Sequence, residues 1–382
     1  MSQVGRRGNH EGSQPIQRKD GRWQVSLRYI DADGTAKRTT VTGKTQKEAR
    51  DKAKEVRQRL DKRQPPRDVR KTVGTFAAEW LGSTLEVSDR KDSTKQLYAS
   101  LAKSHIVSDR LGTVPLDQLT PRRIEAWVSA LRASGLSAST IRSTYTVLRA
   151  ILDTAVRDRS IAENPAVVIR RPRVEHHEAE YLSPVQVRAL LAAAESTRYA
   201  ALFTLMVNTG LRRGEALALH WADVDADQKA LRVRGTLTRI GGSLTVTEPK
   251  TTKSRRLVAM SPVVEALLRG VKVGQRQERL TAGSQWRATG FVFTTELGDP
   301  CDPRNALRAL KVAAGKAGLP ATVGLHTLRH SAASVMLMNG VPLKVVSEIL
   351  GHSSIAITGD IYGHVAPEVA SSALATLGDA LA

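Results

Sequence analysis

The sequence is poor in cysteine and has no long apolar run. Cys301 is the only cysteine among 382 residues, which excludes a disulfide within the chain and a cysteine-rich zinc site. No stretch approaches the roughly 18 consecutive apolar residues of a membrane span. The basic N-terminus is not followed by the apolar segment of a signal peptide. These absences predict a protein of a reducing, intracellular compartment with no membrane partner.

The sequence also lacks a glycine-rich phosphate loop and a cluster of Asp and Glu side chains for Mg²⁺, so we expect no nucleotide or metal cofactor. His326 and His330 are four residues apart, a spacing that could hold zinc. However, Thr327 stands where the helix of a metallopeptidase carries glutamate, and no obvious third ligand is close. We therefore expect no metal site.

Acidic residues are scarce relative to basic ones. The chain has 58 Lys+Arg and 37 Asp+Glu, a net charge of +21, and residues 1–70 alone hold 19 Lys+Arg against 9 Asp+Glu. This excess favours a polyanion partner, usually DNA or RNA, although a ribosome-like surface or the basicity of a GC-rich genome are alternatives. The uneven distribution predicts that the N-terminal segment contacts phosphates.

The first region, residues 1–64, is predicted to be a small sheet with one helix. Apolar and polar residues alternate over residues 23–29, Asp33 and Gly34 suit a turn, and a basic second strand follows. Thr45 and Glu48 then form the capping box of a helix. The apolar stripe of that helix is Ala49, Ala53, Val56 and Leu60. A linker with two prolines among charged residues follows.

The second region, residues 72–166, is predicted to be all helical. Thr120 suits an N-cap, Pro121 the first helical position, and Gly135 the residue just past the helix end. A longer helix follows, and its apolar side chains recur at helical spacing, at Ile141, Leu148, Ile151, Leu152 and Ala155. A basic linker after it, "IRRPRVEHHEAE", is either a solvated tether or a contact to a DNA backbone.

The third region, residues 178–382, is predicted to be mixed. Ser183 caps a helix that begins at Pro184, and residues 199–219 contain an apolar helix, a break and a second helix. Three strands joined by turns are predicted at "ALRVRGTLTRI", "SLTVTEPK" and "RRLVAM". After residue 300 the chain is predicted to be helical to its end.

Four polar clusters in this region are not explained by the apolar pattern. In "TGLRRGEAL", Arg212 and Arg213 at a helix start suit a phosphate, but Arg212 and Glu215 could equally form a buried structural pair. Lys250 and Lys253 lie between two strands, where a lysine is usually solvated.

His326 and Arg329 share one face of an otherwise apolar helix, so this charged pair needs a partner. His352 directly follows Leu350-Gly351, the predicted end of another helix. Tyr362 lies on a short helix that begins around Ser354, and taken alone it would be a packing residue.

Together these clusters contain arginines to stabilise phosphate oxygens, lysine and histidine for proton transfer, and a phenol as nucleophile. A phenol with a pKa near 10 can attack if nearby cations favour its phenolate. The set therefore predicts phosphoryl transfer on DNA with Tyr362 as the nucleophile.

The motifs "TGLRRGEAL", "HTLRH", "LGHSSIAIT" and "DIYGHV", in this order over residues 209–365, resemble the signature of the tyrosine recombinases, specifically the phage and mobile-element integrases. The resemblance implies that Arg212 and Arg329 bind the non-bridging oxygens of the scissile phosphate, with Glu215 supporting the arginine site. Tyr362 would form a 3′-phosphotyrosyl link and free a 5′-hydroxyl.

The resemblance also implies that Lys250 protonates the departing 5′ oxygen, although Lys253 remains an alternative. His326 and His352 would assist proton transfer and phosphate binding. No metal, ATP or other cofactor is implied.

The implied fold is multidomain and mainly α with small β-sheets: an arm-type DNA-binding domain with a three-stranded sheet and a helix (1–64), an all-α core-binding domain (72–166) and an α+β catalytic domain (178–382). The expected partner is double-stranded DNA at core and arm sites, bound by a homotetramer, possibly with an excisionase or a host DNA-bending factor. The implied location is the cytoplasm of a bacterial host, at the nucleoid. The predicted DNA contacts are Arg18, Lys19, Arg22, Arg28, Lys37, Arg38, Arg170 and Arg171.

Two other functions fit parts of this pattern. A type IB-like topoisomerase shares the chemistry but relaxes supercoils without a defined site, and the arm-like N-terminal region argues against it. A non-catalytic DNA-binding protein with the same fold would not need the full set of motif residues.

Overall fold

The computed structural model describes residues 13–30, 35–61, 71–175, 180–248, 255–352 and 354–362, together with 374, 375, 377, 379 and 381. For residues 357 and 360–362 it describes the backbone alone. The chain forms two compact units, residues 1–174 and 175–382. As expected, it is mainly helical with small antiparallel sheets.

The first unit begins with a three-stranded antiparallel sheet and a helix. The elements are β1 (Ile16–Gln17), β2 (Trp23–Ile30), β3 (Ala36–Gly43) and α1 (Gln46–Asp61), with the strands in the order β1-β2-β3. Val25 and Leu27 on β2 are buried together with Ala49, Ala53 and Val56 on α1, so the predicted alternation and stripe are confirmed. The predicted turn at residues 33–34 lies outside the described residues.

The capping of α1 differs slightly from the expected reciprocal pair. The Thr45 hydroxyl accepts a hydrogen bond from the Glu48 amide at 3.1 Å, as predicted. The Glu48 carboxylate accepts from the Lys44 amide at 2.7 Å rather than from the Thr45 amide. The helix start is therefore fixed by both side chains, one residue wider than in the usual capping box.

The rest of the first unit is helical, with its own hydrophobic core. The helices are α2 (Val73–Gly82), α3 (Asp92–Ala102), α4 (Pro121–Ala133) and α5 (Ala138–Arg157). The Thr120 hydroxyl caps α4, and Gly135 follows it with a φ of 81°. All five apolar residues that we predicted for the inner face of α5 are buried. Trp80 Nε1 donates to Thr154 Oγ1 at 3.0 Å and thereby joins α2 to α5.

The second unit combines helices with two small sheets. Its first part contains α6 (Pro184–Ala194), α7 (Ala200–Thr209), α8 (Arg213–Leu217), β4 (Val224–Asp225), β5 (Ala230–Val233), β6 (Thr236–Ile240), β7 (Ser243–Thr247), β8 (Arg256–Ala259) and α9 (Pro262–Ala282). One sheet has the order β4-β5-β8, and β6 pairs with β7 in the other. Ser183 caps α6 through a capping box with Gln186, as the sequence predicted for its hydroxyl.

Two expectations for the strands were wrong. Residues 230–240 form two strands in different sheets because the chain leaves the first sheet at Gly235, where an added Cβ would lie 2.6 Å from Val246 Cγ1. The strands before and after Lys250 and Lys253 also belong to different sheets, so these lysines do not lie on a hairpin. Both lysines lie outside the described residues. The long helix α9 was not anticipated.

The second part of this unit contains α10 (Pro303–Lys316), α11 (Leu325–Met338), α12 (Leu343–Leu350) and α13 (Ile355–Tyr362). Residues 374, 375, 377, 379 and 381 are helical as well. Cys301, just before α10, is buried, and this burial raises the pKa of its thiol to about 11. Among the helices described, none combines the length and apolar character that a membrane crossing requires.

Candidate active site

The break between α7 and α8 places Arg212 beside Glu215. The α7 helix ends at Gly210, which has a φ of 65°, and Arg212 occupies the position before the first residue of α8. Arg212 Nη1 lies 2.8 Å from Glu215 Oε1, and the Arg212 amide donates to Glu215 Oε2 at 2.9 Å. The structural pair considered from the sequence therefore exists. About a third of the Arg212 side chain is nevertheless exposed and could reach an anion.

Arg256, at the start of β8, is a third member of this pair that the sequence reasoning missed. Its side chain is buried, and Nη2 donates to Glu215 Oε2 at 3.0 Å while Nε donates to the Ile349 carbonyl at 2.8 Å. A signal was present, because Arg256 shares the period-two register of the buried Val258 and Met260. An arginine in the buried register of a strand needs a carboxylate partner.

The Glu215 carboxylate is held in its charged form. Burial alone would raise its pKa, but hydrogen bonds and charge from Arg256, followed by the Arg212 amide and charge, outweigh burial and lower the pKa below its ordinary value. Glu215 is therefore ionised at neutral pH and fixes both guanidinium groups.

Arg329, in the first half of α11, is buried and donates to backbone carbonyls. Nη1 donates to the Gly210 carbonyl at 2.7 Å and Nη2 to the Leu350 carbonyl at 2.8 Å. Arg212 Nη2 donates to the Gly351 carbonyl at 3.1 Å. The last carbonyls of α12, which have no partner within the helix, thus accept hydrogen bonds from three arginines on three different elements.

Two glycines allow this close approach. Gly210 and Gly351 have φ values of 65° and 66°, in the left-handed region that favours glycine. An added Cβ at Gly210 would lie 2.6 Å from Leu350 Cδ2. At Gly351 it would lie 2.8 Å from Arg256 Nη1. The end of α12 is therefore packed directly onto the arginine cluster.

Histidines surround the arginines. Loss of hydration, and then the positive charges of Arg213, Arg329 and Arg212, lower the pKa of His326. The same two causes, with Arg329 as the largest charge, lower the pKa of His352 to about 4. Loss of hydration is also the main reason that the pKa of His330 falls to about 4.

His352 links the arginine cluster to α13. Its amide donates to the Ser347 carbonyl at 3.0 Å, which ties the residue to the end of α12. Its Nδ1 lies 2.7 Å from the hydroxyl oxygen of Thr358, a fully buried residue of α13. Ser354 Oγ accepts from the Ala356 amide at 3.2 Å, so α13 begins where the sequence predicted. Tyr362 is the last residue of α13.

Of the residues predicted for the active site, the structure brings together Arg212, Glu215, Arg329 and His352, and it places His326 on the same helix as Arg329. For Tyr362 it gives the backbone position only, and Lys250 lies outside the described residues. In the described part of the chain, no three His, Cys, Asp or Glu side chains group together as a metal ion would require.

The predicted DNA contacts fall on exposed parts of the first unit. Arg28 on β2 pairs directly with Arg38 on β3 in the sheet register, and Lys37 pairs with Tyr29. Because side chains alternate along a strand, Lys37 lies on the sheet face opposite to the one that carries Arg28 and Arg38. Two like charges directly across a sheet destabilise it unless an anion or another group compensates them.

The Arg38 guanidinium donates to Ser26 Oγ at 2.9 Å. The remaining predicted contacts are exposed. They are Arg18, Lys19 and Arg22 around the turn between β1 and β2, and Arg170 and Arg171 after α5. Arg171 donates to Thr146 Oγ1 at 2.9 Å and so lies against α5.

Comparisons with known proteins agree with this geometry. Residues 180–368 match the phage integrase family. The chain is 33% identical over 375 residues to a tyrosine recombinase XerC-like protein of Caldanaerobacter subterraneus subsp. tengcongensis, an alignment that covers 91% of this chain and 93% of the relative. Over 80% of this chain and 99% of the other, the fold is similar to that of the Tn1549 transposon integrase in complex with a circular intermediate DNA (TM-score 0.67, 23% identity).

The fold is also similar to that of lambda integrase, solved as a tetramer bound to a Holliday junction. That similarity has a TM-score of 0.58 at 18% identity and covers 94% of this chain and 97% of the other. It extends over the first unit as well as the second.

Proposed function

This chain belongs to the phage integrase family of tyrosine recombinases and is a site-specific DNA recombinase, and we propose that the cluster around the end of α12 is its active site. The observation that carries this proposal is the convergence of Arg212, Arg329 and His352 on the residues that close α12. Three distant segments of the sequence contribute these side chains. The alternative of a packing role is weaker, because packing alone does not require two arginines and a histidine at one helix end.

Arg212 and Arg329 are the proposed binding groups for the scissile phosphate. Guanidinium groups suit phosphate oxygens because they present several N–H donors in a fixed plane. Arg212 has the exposed surface to receive the phosphate, and Glu215 with Arg256 behind it holds the guanidinium in place. As the phosphorus becomes five-coordinate, these donors stabilise the charge that develops on its oxygens.

Tyr362 is the proposed nucleophile. Its phenolic oxygen attacks phosphorus and forms the 3′-phosphotyrosyl bond, while the bond from phosphorus to the 5′ oxygen breaks. The departing 5′ oxygen takes a proton, for which Lys250 is the proposed donor, and leaves as a hydroxyl. The reverse attack by a 5′-hydroxyl of another strand restores the DNA backbone, so the bond energy is kept within the covalent link.

His326 and His352 are proposed to donate hydrogen bonds to the phosphate and to transfer protons. The lowered pKa of each ring makes it neutral at neutral pH. A neutral imidazole still carries one N–H that can donate to a phosphate oxygen.

The other regions are proposed to bind DNA outside the cleavage site. Residues 1–64 would bind arm sites through Arg28 and Arg38, helped by Lys37 and by Arg18, Lys19 and Arg22. Residues 72–166 would form the core-binding domain, with Arg170 and Arg171 contacting the backbone. The juxtaposed Arg28 and Arg38 support an anion on that face of the sheet, because phosphate contact relieves their repulsion.

The assembly on DNA is proposed to be a homotetramer that exchanges strands through a four-way junction. The similarity to the lambda integrase tetramer on a Holliday junction supports this. An excisionase or a host DNA-bending factor would set the direction of the reaction. Integration or excision of a phage or another mobile element, in the cytoplasm of a bacterial host, is the proposed biological role.

A covalent-trap assay tests the proposal. Purified protein is incubated without Mg²⁺ or ATP with labelled DNA from the region that flanks its own gene, carrying a nick near each candidate core site. We expect a slow, protease-sensitive DNA band on a denaturing gel that is absent for Tyr362→Phe. Loss of the band in Lys250→Ala but not in Lys253→Ala would assign the active lysine.

Matched controls separate catalysis from binding. Tyr362→Phe should bind the same DNA with unchanged affinity, because the phenolic oxygen makes no stable contact in the uncleaved complex. A band that persists in Tyr362→Phe would refute Tyr362 as the nucleophile. Relaxation of any supercoiled plasmid regardless of sequence would indicate a topoisomerase.

A further inference from the structure

Thr358 holds a position that the assigned active-site residues do not explain. It lies on α13, one helical turn before Tyr362, and its side chain is fully buried. A buried threonine on a helix usually donates its hydroxyl hydrogen to the carbonyl four residues earlier. Several threonines of this chain do so, for example Thr204 to the Ala200 carbonyl at 3.0 Å.

Thr358 has a different partner. Within the described residues, its hydroxyl is hydrogen-bonded to one group, Nδ1 of His352, at 2.7 Å. A buried hydroxyl that leaves its hydrogen without an acceptor loses free energy. The hydroxyl hydrogen of Thr358 therefore points to Nδ1, and Nδ1 is the acceptor.

This direction decides which ring nitrogen carries the proton. The pKa of His352 is lowered to about 4 by burial and by the charges of Arg329, Arg212, His330 and Arg256. The ring is therefore neutral at neutral pH and holds one N–H. If Nδ1 accepts from Thr358, that N–H is on Nε2, the nitrogen that is left to face a bound phosphate.

We propose that Thr358 is a positioning residue that keeps His352 in its Nε2–H tautomer and thereby couples the placement of α13 to the phosphate-binding cluster. The proposal rests on the proposed function, because it assigns His352 to the phosphate. When α13 lies against α12, the hydroxyl bond forms, and His352 presents a donor at the same time as the nucleophile helix is in place. When α13 moves away, His352 loses the partner that fixes its tautomer.

The test compares two substitutions that differ in the hydroxyl. Thr358→Val keeps the shape of the side chain and removes the donor, whereas Thr358→Ser keeps the donor. Side-chain ¹⁵N spectra of histidine-labelled protein, with the His352 signals assigned from His352→Gln, report the tautomer directly. We expect wild type and Thr358→Ser to show protonated Nε2, and Thr358→Val to show a mixture of both tautomers.

Single-turnover cleavage of the nicked DNA at saturating protein gives the functional readout. Loss of one neutral hydrogen bond corresponds to a rate roughly fivefold to tenfold lower for Thr358→Val. Thr358→Ser should recover most of this loss, and the DNA affinity should not change. In a His352→Gln background, Thr358→Val should slow cleavage no further, because the hydroxyl acts through the ring.

A control threonine tests for unspecific effects. Thr281 is exposed on α9, where its hydroxyl bonds the Gln277 carbonyl at 3.1 Å, and Thr281→Val should leave tautomer and rate unchanged. If Thr358→Val does not fold, Thr358→Ala removes the same hydroxyl and takes its place.

The outcomes separate this proposal from the proposed function. An unchanged tautomer or an unchanged cleavage rate in the hydroxyl-free variant overturns the role of Thr358, while the wild-type covalent band still supports the active site. If wild type forms no covalent band but the tautomer follows the hydroxyl, the proposed function fails and the coupling to His352 stands.

Discussion

Replacing Arg256 by methionine tests the buried ion pair behind the proposed phosphate site. The substitution removes both hydrogen bonds to the Glu215 carboxylate and the bond to the Ile349 carbonyl. Glu215 is then left with Arg212, whose side chain is about a third exposed. Removing one partner of a buried ion pair costs about 3–5 kcal/mol, and because Arg212 remains, we expect a loss of about 3 kcal/mol.

Hydrogen exchange measures this loss where it occurs. A chain with several cores does not unfold in one step, so a single unfolding free energy would mislead. Mass spectrometry of peptides that span β8 and α12 reports the local opening free energy instead. The matched control is Arg255→Met, because Arg255 is more than half exposed and pairs with the exposed Glu248 at 3.0 Å. That control should change the opening free energy by less than about 1 kcal/mol.

The double variant Glu215→Gln with Arg256→Met makes the test specific. Its cost should be well below the sum of the two single costs, because no buried charge is left unpaired. Additive costs would refute the argument that the two residues act as one unit. So would a loss below about 1 kcal/mol in Arg256→Met, since that is the value of an exposed pair.

The pH dependence gives an independent check. The pKa of Glu215 is lower in the folded protein than its ordinary value. The resulting stabilisation is complete above the unfolded pKa of about 4.3 and is lost as pH falls through the folded pKa. The difference between wild type and Arg256→Met should therefore be largest near neutral pH and shrink in acid.

Three further predictions follow from local geometry. Gly351→Ala adds a Cβ 2.8 Å from Arg256 Nη1 at a positive φ, so it should destabilise α12 by about 1–3 kcal/mol in hydrogen exchange and reduce covalent-band formation. Replacing both Arg28 and Arg38 by glutamine should weaken DNA binding and reduce the salt dependence of log Kd by about two contacts, as measured by fluorescence anisotropy at several salt concentrations. Gly359→Ala should protect α13 from hydrogen exchange by about 0.5–1 kcal/mol, because nothing lies closer than 4.0 Å to the added Cβ; strong protection of α13 in the wild type would contradict the prediction that this helix is mobile.

The sequence was sufficient where the determining contacts are local. Thr120 and Ser183 cap helices through amides three residues away, so a short stretch contains the whole interaction. The family motifs likewise identified Arg212 and Arg329, because motif residues lie at fixed positions.

The sequence was insufficient where the contacts are distant. Arg256 lies 41 residues from Glu215, and nothing near either residue indicates that they meet. Likewise, Gly235 ends a strand because its neighbour in space is Val246, on the paired β6–β7 hairpin. The helix α9 was missed because two glycines, Gly270 and Gly274, interrupt its apolar pattern, although Ser261 and Pro262 supply a normal start.

The buried thiol before α10 has a practical consequence for following this protein on DNA. With a pKa of about 11 for Cys301, only about one thiol in ten thousand is ionised at neutral pH, and the thiolate is the form that maleimide dyes attack. Because no other cysteine exists in the chain, a single cysteine introduced at any exposed position becomes the one readily labelled site without removal of the natural residue. Donor and acceptor dyes placed in this way on separate protomers, or on protein and DNA, could record strand exchange one molecule at a time.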